Sequence, residues 1–92
     1  MPINEVEIKI FGKVQDVGFR YAALHKAVEL FLTGFVKNLD DGTVQIVAQG
    51  EQGSLEELAS WVKIGPRFAN VDRITADFRE PNAKFKIFEI RY

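Results

Sequence analysis

The sequence predicts an α+β fold in which two helices cover one face of an antiparallel sheet. Three observations carry that prediction. The apolar period switches between two and about 3.6 in the order β-α-β-β-α-β, with one more strand at the end. An Asp41-Gly42 pair sits between two apolar runs, a strong hairpin signal because glycine accepts the positive φ such turns need. Each helical segment has one apolar stripe, so both must bury it against a shared layer.

The elements follow in order. Val6, Ile8 and Ile10 alternate with Glu7 and Lys9, the pattern of a half-buried first strand. Residues 12–20 form a connection with glycines at Gly12 and Gly18. From about 19 to 31, Ala23, Ala27, Leu30 and Phe31 recur at helical spacing, as do Leu24 and Val28. Residues 32–38 and 43–49 read as the hairpin strands. Ser54 with Glu57 three residues on reads as a capping box opening the second helix, whose buried stripe is Leu55, Leu58, Ala59 and Val62. Gly65-Pro66 stops it. Ile74, Ala76 and Phe78 alternate in a fourth strand, and Glu80-Pro81-Asn82 is a turn. Residues 84–90 form a fifth strand in which Phe85 and Ile87 compete with Phe88 and Ile90 for the buried face. Trp61 and the eight phenylalanines are expected mostly in the core. This order is the ferredoxin-like, split βαβ arrangement, with a single domain expected over residues 1–92.

Composition excludes several function classes. Twelve basic and thirteen acidic side chains give a net charge of −1, against a bulk electrostatic nucleic-acid binder. The 43–49 strand has no aromatic platform for stacking bases. With no cysteine and one histidine, His25, neither a thiolate nucleophile nor a His/Cys metal cluster can be built, and no cofactor is expected. No apolar run approaches the ~18 residues of a membrane span. The start of the chain lacks the charged and apolar regions of a secretory signal. A cytoplasmic monomer is the expectation.

Topology locates a candidate site. Strand 1 runs up, the first helix returns, and strand 2 runs up again, so the loop after strand 1 and the end of strand 2 share one end of the sheet. With strand 3 between them they stand roughly 10 Å apart. The loop runs into the N-terminus of the first helix, where backbone N–H groups lack partners and the dipole favours anions. Arg20 adds a charged planar fork. These residues alone fit either a phosphate or carboxylate receptor or an ordinary tight connection with a solvated arginine.

The string GKVQDVGFR, residues 12–20, closely resembles the acylphosphatase signature G-x-V-Q-G-V-G-F-R. TGFVKNLDDGTV, residues 33–44, resembles that family's second motif, T-G-x-V-x-N-x-x-D-G-x-V. Gly65-Pro66, Val71-Asp72-Arg73 and the ending Phe88-Glu89-Ile90-Arg91 are similar to further family landmarks. The resemblance implies hydrolysis of the carboxyl-phosphate bond of small acyl phosphates, with no metal and no covalent enzyme intermediate. It places the catalytic arginine on Arg20 and the catalytic asparagine on Asn38. It places phosphate binding on the loop amides of Gln15, Asp16, Val17, Gly18 and Phe19 together with Arg20, and gives Asn38 the attacking water. Domains of this family also occur within larger carbamoyl-transferring proteins.

Two departures from the family pattern stand out. Asp16 occupies the loop glycine, and its charge opposes a bound phosphate, so an anion- or partner-binding module with weak or no turnover is the alternative reading. Phe31 stands where many relatives have glycine after the helix. Asp40 and Asp41 read as turn formers, Thr43 as a hairpin threonine and His25 as a surface residue. Lys13 and Lys37 either draw anions to the site or are merely solvated.

Overall fold

The computed structural model describes residues 2–92, so Met1 lies outside the described residues. The elements are β1 (Asn4–Lys13), α1 (Phe19–Glu29), β2 (Thr33–Asn38), β3 (Val44–Gly50), α2 (Gln52–Val62), β4 (Asn70–Arg79) and β5 (Phe88–Arg91). They form one five-stranded sheet in the order β4-β1-β3-β2-β5. α1 packs on β2 and β5, and α2 on β1, β3 and β4. The alternation of β1 places Val6, Ile8 and Ile10 under the helices, each 0% exposed, where they meet Val36, Ile46, Leu55 and Leu58. The ferredoxin-like arrangement is therefore present, with one refinement. β5 pairs parallel to β2, so the sheet is mixed rather than antiparallel.

The last strand is also shorter than the sequence suggests. β4 and β5 lie on opposite edges, and residues 80–87 are spent crossing the helix-free face between them. Gln49 holds that crossing through the Ala83 carbonyl and the Phe85 amide, and Phe85 packs edge-on against Phe35. Phe88 and Ile90 then face inward, while Ile87 is 63% exposed, which fixes the register.

Four expectations need correction. α2 opens at Gln52, not at Ser54, and no side-chain cap closes it. Glu51 is the extended residue before the helix, and its carbonyl accepts the Leu55 amide at 3.0 Å. Gln52 is anchored by Asn4 of β1 and by Glu56 one turn on, so the helix starts two residues early and Ser54 falls inside its first turn. α1 buries a narrow stripe of Phe19, Ala23 and Ala27, leaving Val28 58% and Phe31 93% exposed. Leu24 and Leu30 pack against the core only in part. The phenylalanines are mostly not core: Phe19 and Phe88 are buried, while Phe31, Phe68 and Phe78 are exposed. β4 alternates as expected but is an edge strand covered thinly by α2, so Ile74 is half-buried and Ala76 and Phe78 are exposed.

Candidate active site

The strand register brings the two predicted halves of a site together. Val44 of β3 pairs with Ile10 of β1 on one side and with Asn38 of β2 on the other. Both pairings end there, so the loop after β1 and the turn after β2 emerge side by side. A bulge between Phe11 and Gly12 redirects β1 at this end. Gly12 has φ 129°, and a Cβ there would collide with the Asn70 carbonyl oxygen, so only glycine lets β1 and β4 approach so closely.

The loop makes two left-handed residues before the helix starts. Asp16 has φ 61° and Gly18 φ 78°, and Gly18 is the residue on which α1 begins. Among the described residues, the amides of Gln15, Asp16, Val17, Gly18 and Phe19 donate to no carbonyl or side chain. The Ala22 amide is the first one satisfied within α1, by the Gly18 carbonyl at 3.1 Å. Free amides at a helix N-terminus, shaped by left-handed residues, have the chemistry to receive an anion.

Arg20 and Asn38 line one cleft of about 150 Å³ with Asp16, Gly18 and Phe19. Arg20 forms no ion pair with a carboxylate among the described residues. Its guanidinium carbon instead lies 4.8 Å from the centroid of the Tyr92 ring, so its charge is oriented but not neutralised. Asn38 Oδ1 is the one buried side-chain polar atom of the described residues without a hydrogen-bond partner. An orphaned buried acceptor is costly, so the Asn38 amide stands out among the side chains around the cleft.

The hairpin that carries Asn38 is held by its own side chains. Asp41 Oδ1 accepts from the Thr43 amide at 3.0 Å and from the Thr43 hydroxyl at 2.5 Å, and Asp41 Oδ2 pairs with Lys9 Nζ at 2.9 Å. The Thr43 hydrogen bonds first, and then Lys9, hold the Asp41 carboxyl well below the usual carboxylate range. Asp41 and Thr43 are thus turn chemistry, as expected, and His25 is a surface residue stacked on Tyr21.

The predicted residues do not all converge. Asp16, Gly18, Phe19, Arg20 and Asn38 share the cleft, whereas Val17 packs toward the core. The Gln15 side chain turns to the β2–β3 turn, donating to the carbonyls of Leu39 at 2.7 Å and Thr43 at 2.9 Å. Sequence reasoning missed Tyr21, Ile90 and Tyr92, which supply apolar walls. Tyr21 was legible as the neighbour of Arg20. Tyr92 was not, because its place depends on the register of β5. Among the described residues, no three His, Cys, Asp or Glu side chains converge on a metal position.

A family model described as acylphosphatase matches residues 6–90. The fold is similar to an acylphosphatase from Bacillus subtilis, at 36% identity and TM-score 0.93 over 97% of this chain and 99% of that one. It is similar to an acylphosphatase from Coxiella burnetii at 37% identity and TM-score 0.92, over 98% and 94% of the two chains. It also resembles part of a full-length HypF, at 31% identity and TM-score 0.90, over 98% of this chain and 12% of the larger one.

Proposed function

The chain belongs to the acylphosphatase family, and from that premise we propose how it hydrolyses the carboxyl-phosphate bond of acyl phosphates. Arg20 and the loop amides of Gln15 to Phe19 hold the phosphoryl group, and Asn38 positions the attacking water. The observation that carries this reading is that one cleft is lined by both Arg20, an arginine without a carboxylate partner among the described residues, and Asn38.

The chemistry asks little else of the protein. Water oxygen bonds to phosphorus, the bond from phosphorus to the acyl oxygen breaks, and its electron pair leaves on the carboxylate. The water protons pass to phosphate oxygens and solvent. A carboxylate is a good leaving group, so no strong general acid is required, and catalysis rests on positioning and charge stabilisation. Arg20 contributes a fixed fork matched to two phosphate oxygens, which a lysine point charge cannot replace. Asn38 accepts a hydrogen bond from water without itself titrating. On this reading the domain works as a cytoplasmic monomer without a cofactor. No helix among the described residues is long and apolar enough to cross a membrane.

The test is steady-state hydrolysis of acetyl phosphate with inorganic phosphate as competitor. Arg20→Gln is expected to weaken phosphate inhibition and lower kcat together, because it removes charge from the receptor. Asn38→Ala is expected to lower kcat while phosphate inhibition persists, because it releases only the water. Equal loss of phosphate affinity in both variants contradicts the assigned roles.

A further inference from the structure

The two halves of the cleft sit on strand ends that β3 keeps apart, and the backbone ladder stops at Val44. Beyond that point, the Lys9–Asp41 ion pair ties β1 to the turn, and the Gln15 side chain ties the anion loop to it. Gln15 lies at the head of the anion loop. Its Nε2 donates to the carbonyls of Leu39, the residue after Asn38, and of Thr43, which closes the same turn. Both acceptors are carbonyls, so the amide orientation is unambiguous and both Nε2 protons are used. The Thr43 carbonyl also accepts the Leu39 amide at 2.9 Å, and the Leu39 carbonyl accepts the Gly42 amide at 3.2 Å. Gln15 therefore joins the hydrogen bonds that define the turn itself. It fixes where that turn stands relative to the loop.

We infer that Gln15 is a positioning residue, and that its side chain sets the distance between the bound phosphoryl group and the water on Asn38. This rests on the acyl phosphate reading above. It also separates two duties of one residue: the Gln15 amide faces the anion, while its side chain aligns the nucleophile. Loss of the side-chain link leaves Arg20 and the amides in place, so phosphate binding survives while the line of attack is lost.

Gln15→Met keeps the length and removes the donor. Gln15→Glu presents an acceptor to two carbonyls when ionised, and regains one donated hydrogen bond when protonated. Both are assayed with acetyl phosphate and inorganic phosphate, alone and combined with Asn38→Ala. A misalignment near 1 Å predicts a fall in kcat of about 10- to 100-fold for Gln15→Met. The phosphate inhibition constant is expected to stay within about threefold. In the Asn38→Ala background the same change is expected to alter kcat by no more than about twofold, since no positioned water remains to misalign. Gln15→Glu is expected to recover kcat relative to the parent as pH falls from 7 to 5, a response that a packing defect does not give. If Gln15→Met does not fold, the Glu variant and its pH response decide the matter.

Equal effects of Gln15→Met in both backgrounds, or a Glu variant with the parent's pH profile, overturn this role while the acyl phosphate reading stands. A parent protein without acetyl phosphate hydrolysis overturns both.

Discussion

Replacing Asp16 by asparagine or glycine is expected to tighten phosphate binding, and the structure narrows the size of the gain. Asp16 lines the cleft, so a carboxylate stands near any anion held there. At a separation of ~6 Å, one charge opposes another by about 0.7 kcal/mol at a dielectric of ~80 and about 3 kcal/mol at ~20. The residue is exposed, which places it toward the aqueous end of that range. For a phosphate carrying one to two charges the penalty is then about 0.7 to 1.4 kcal/mol, or roughly 3- to 10-fold in affinity. The backbone contributes less. Asp16 already adopts φ 61°, and aspartate tolerates this region better than most side chains. Asparagine shares that tolerance and removes the charge, so Asp16→Asn and Asp16→Gly are expected to gain nearly equally. The assay is the competitive inhibition constant of inorganic phosphate against acetyl phosphate at low and high salt. Screening over ~8 Å at physiological ionic strength should shrink the gain as salt rises. Inhibition constants equal to the parent in both variants refute the Coulomb argument. A gain confined to glycine, or one indifferent to salt, moves the cause to backbone geometry.

Three further outcomes are expected. Hydrolysis of acetyl phosphate should be unchanged by a chelator, because the chain has one histidine, no cysteine and no converging carboxylates among the described residues; loss restored by Mg²⁺ would sink the metal-free mechanism. Phe31→Gly should stabilise the fold by about 1 kcal/mol, the left-handed penalty less the entropy glycine adds to the unfolded chain, raising the melting temperature by about 4 to 8 °C. Phe31→Ala keeps the Cβ and should give no such gain; equal melting temperatures for the two variants contradict the strain account. Asp41 ionises more easily folded than unfolded, so its contribution is complete above its ordinary value of 3.8 and is lost as pH falls toward the lower folded value. The difference in urea midpoint between the parent and Asp41→Asn should accordingly be flat from pH 5 to 8 and shrink below pH 4; a difference constant down to pH 2 refutes this.

Where a residue's role depends on its near neighbours in sequence, the chain was legible. β1 and the β2–β3 hairpin follow from alternation plus Asp41-Gly42, and the cleft follows from the order of elements, since β1, α1 and β2 must return to one end of the sheet. What stayed hidden depends on distant pairings. The start of α2 was misread because Asn4, 48 positions away, holds Gln52. The fifth strand was overextended because its length is set by the width of the sheet it must cross. Tyr92 against Arg20 follows from the parallel pairing of β5 with β2, which no local pattern encodes. The link from Gln15 to the turn also spans the sheet, and the sequence suggested only its backbone amide.

The two departures from the family pattern, Asp16 and Phe31, look alike in sequence because each replaces a glycine. The structure separates them. Both residues are left-handed, at φ 61° and φ 60°. Phe31 closes α1 as the residue beyond its C-cap, donating to the Val28 carbonyl at 3.0 Å, while Leu32 donates to the Ala27 carbonyl at 2.9 Å. That hydrogen-bond pair is the Schellman closure, for which glycine is the favoured residue. The ring gains almost nothing in return, being 93% exposed. Its burden is therefore one of stability, borne at a helix end. Asp16 sits among free amides, where a short polar side chain suits the backbone and the burden is electrostatic. Gly18 supplies the third case: a Cβ there would meet no atom within 4 Å, so φ 78° alone calls for glycine. Gly18→Asn should therefore preserve the loop, whereas Gly18→Val should lose both phosphate binding and the start of α1.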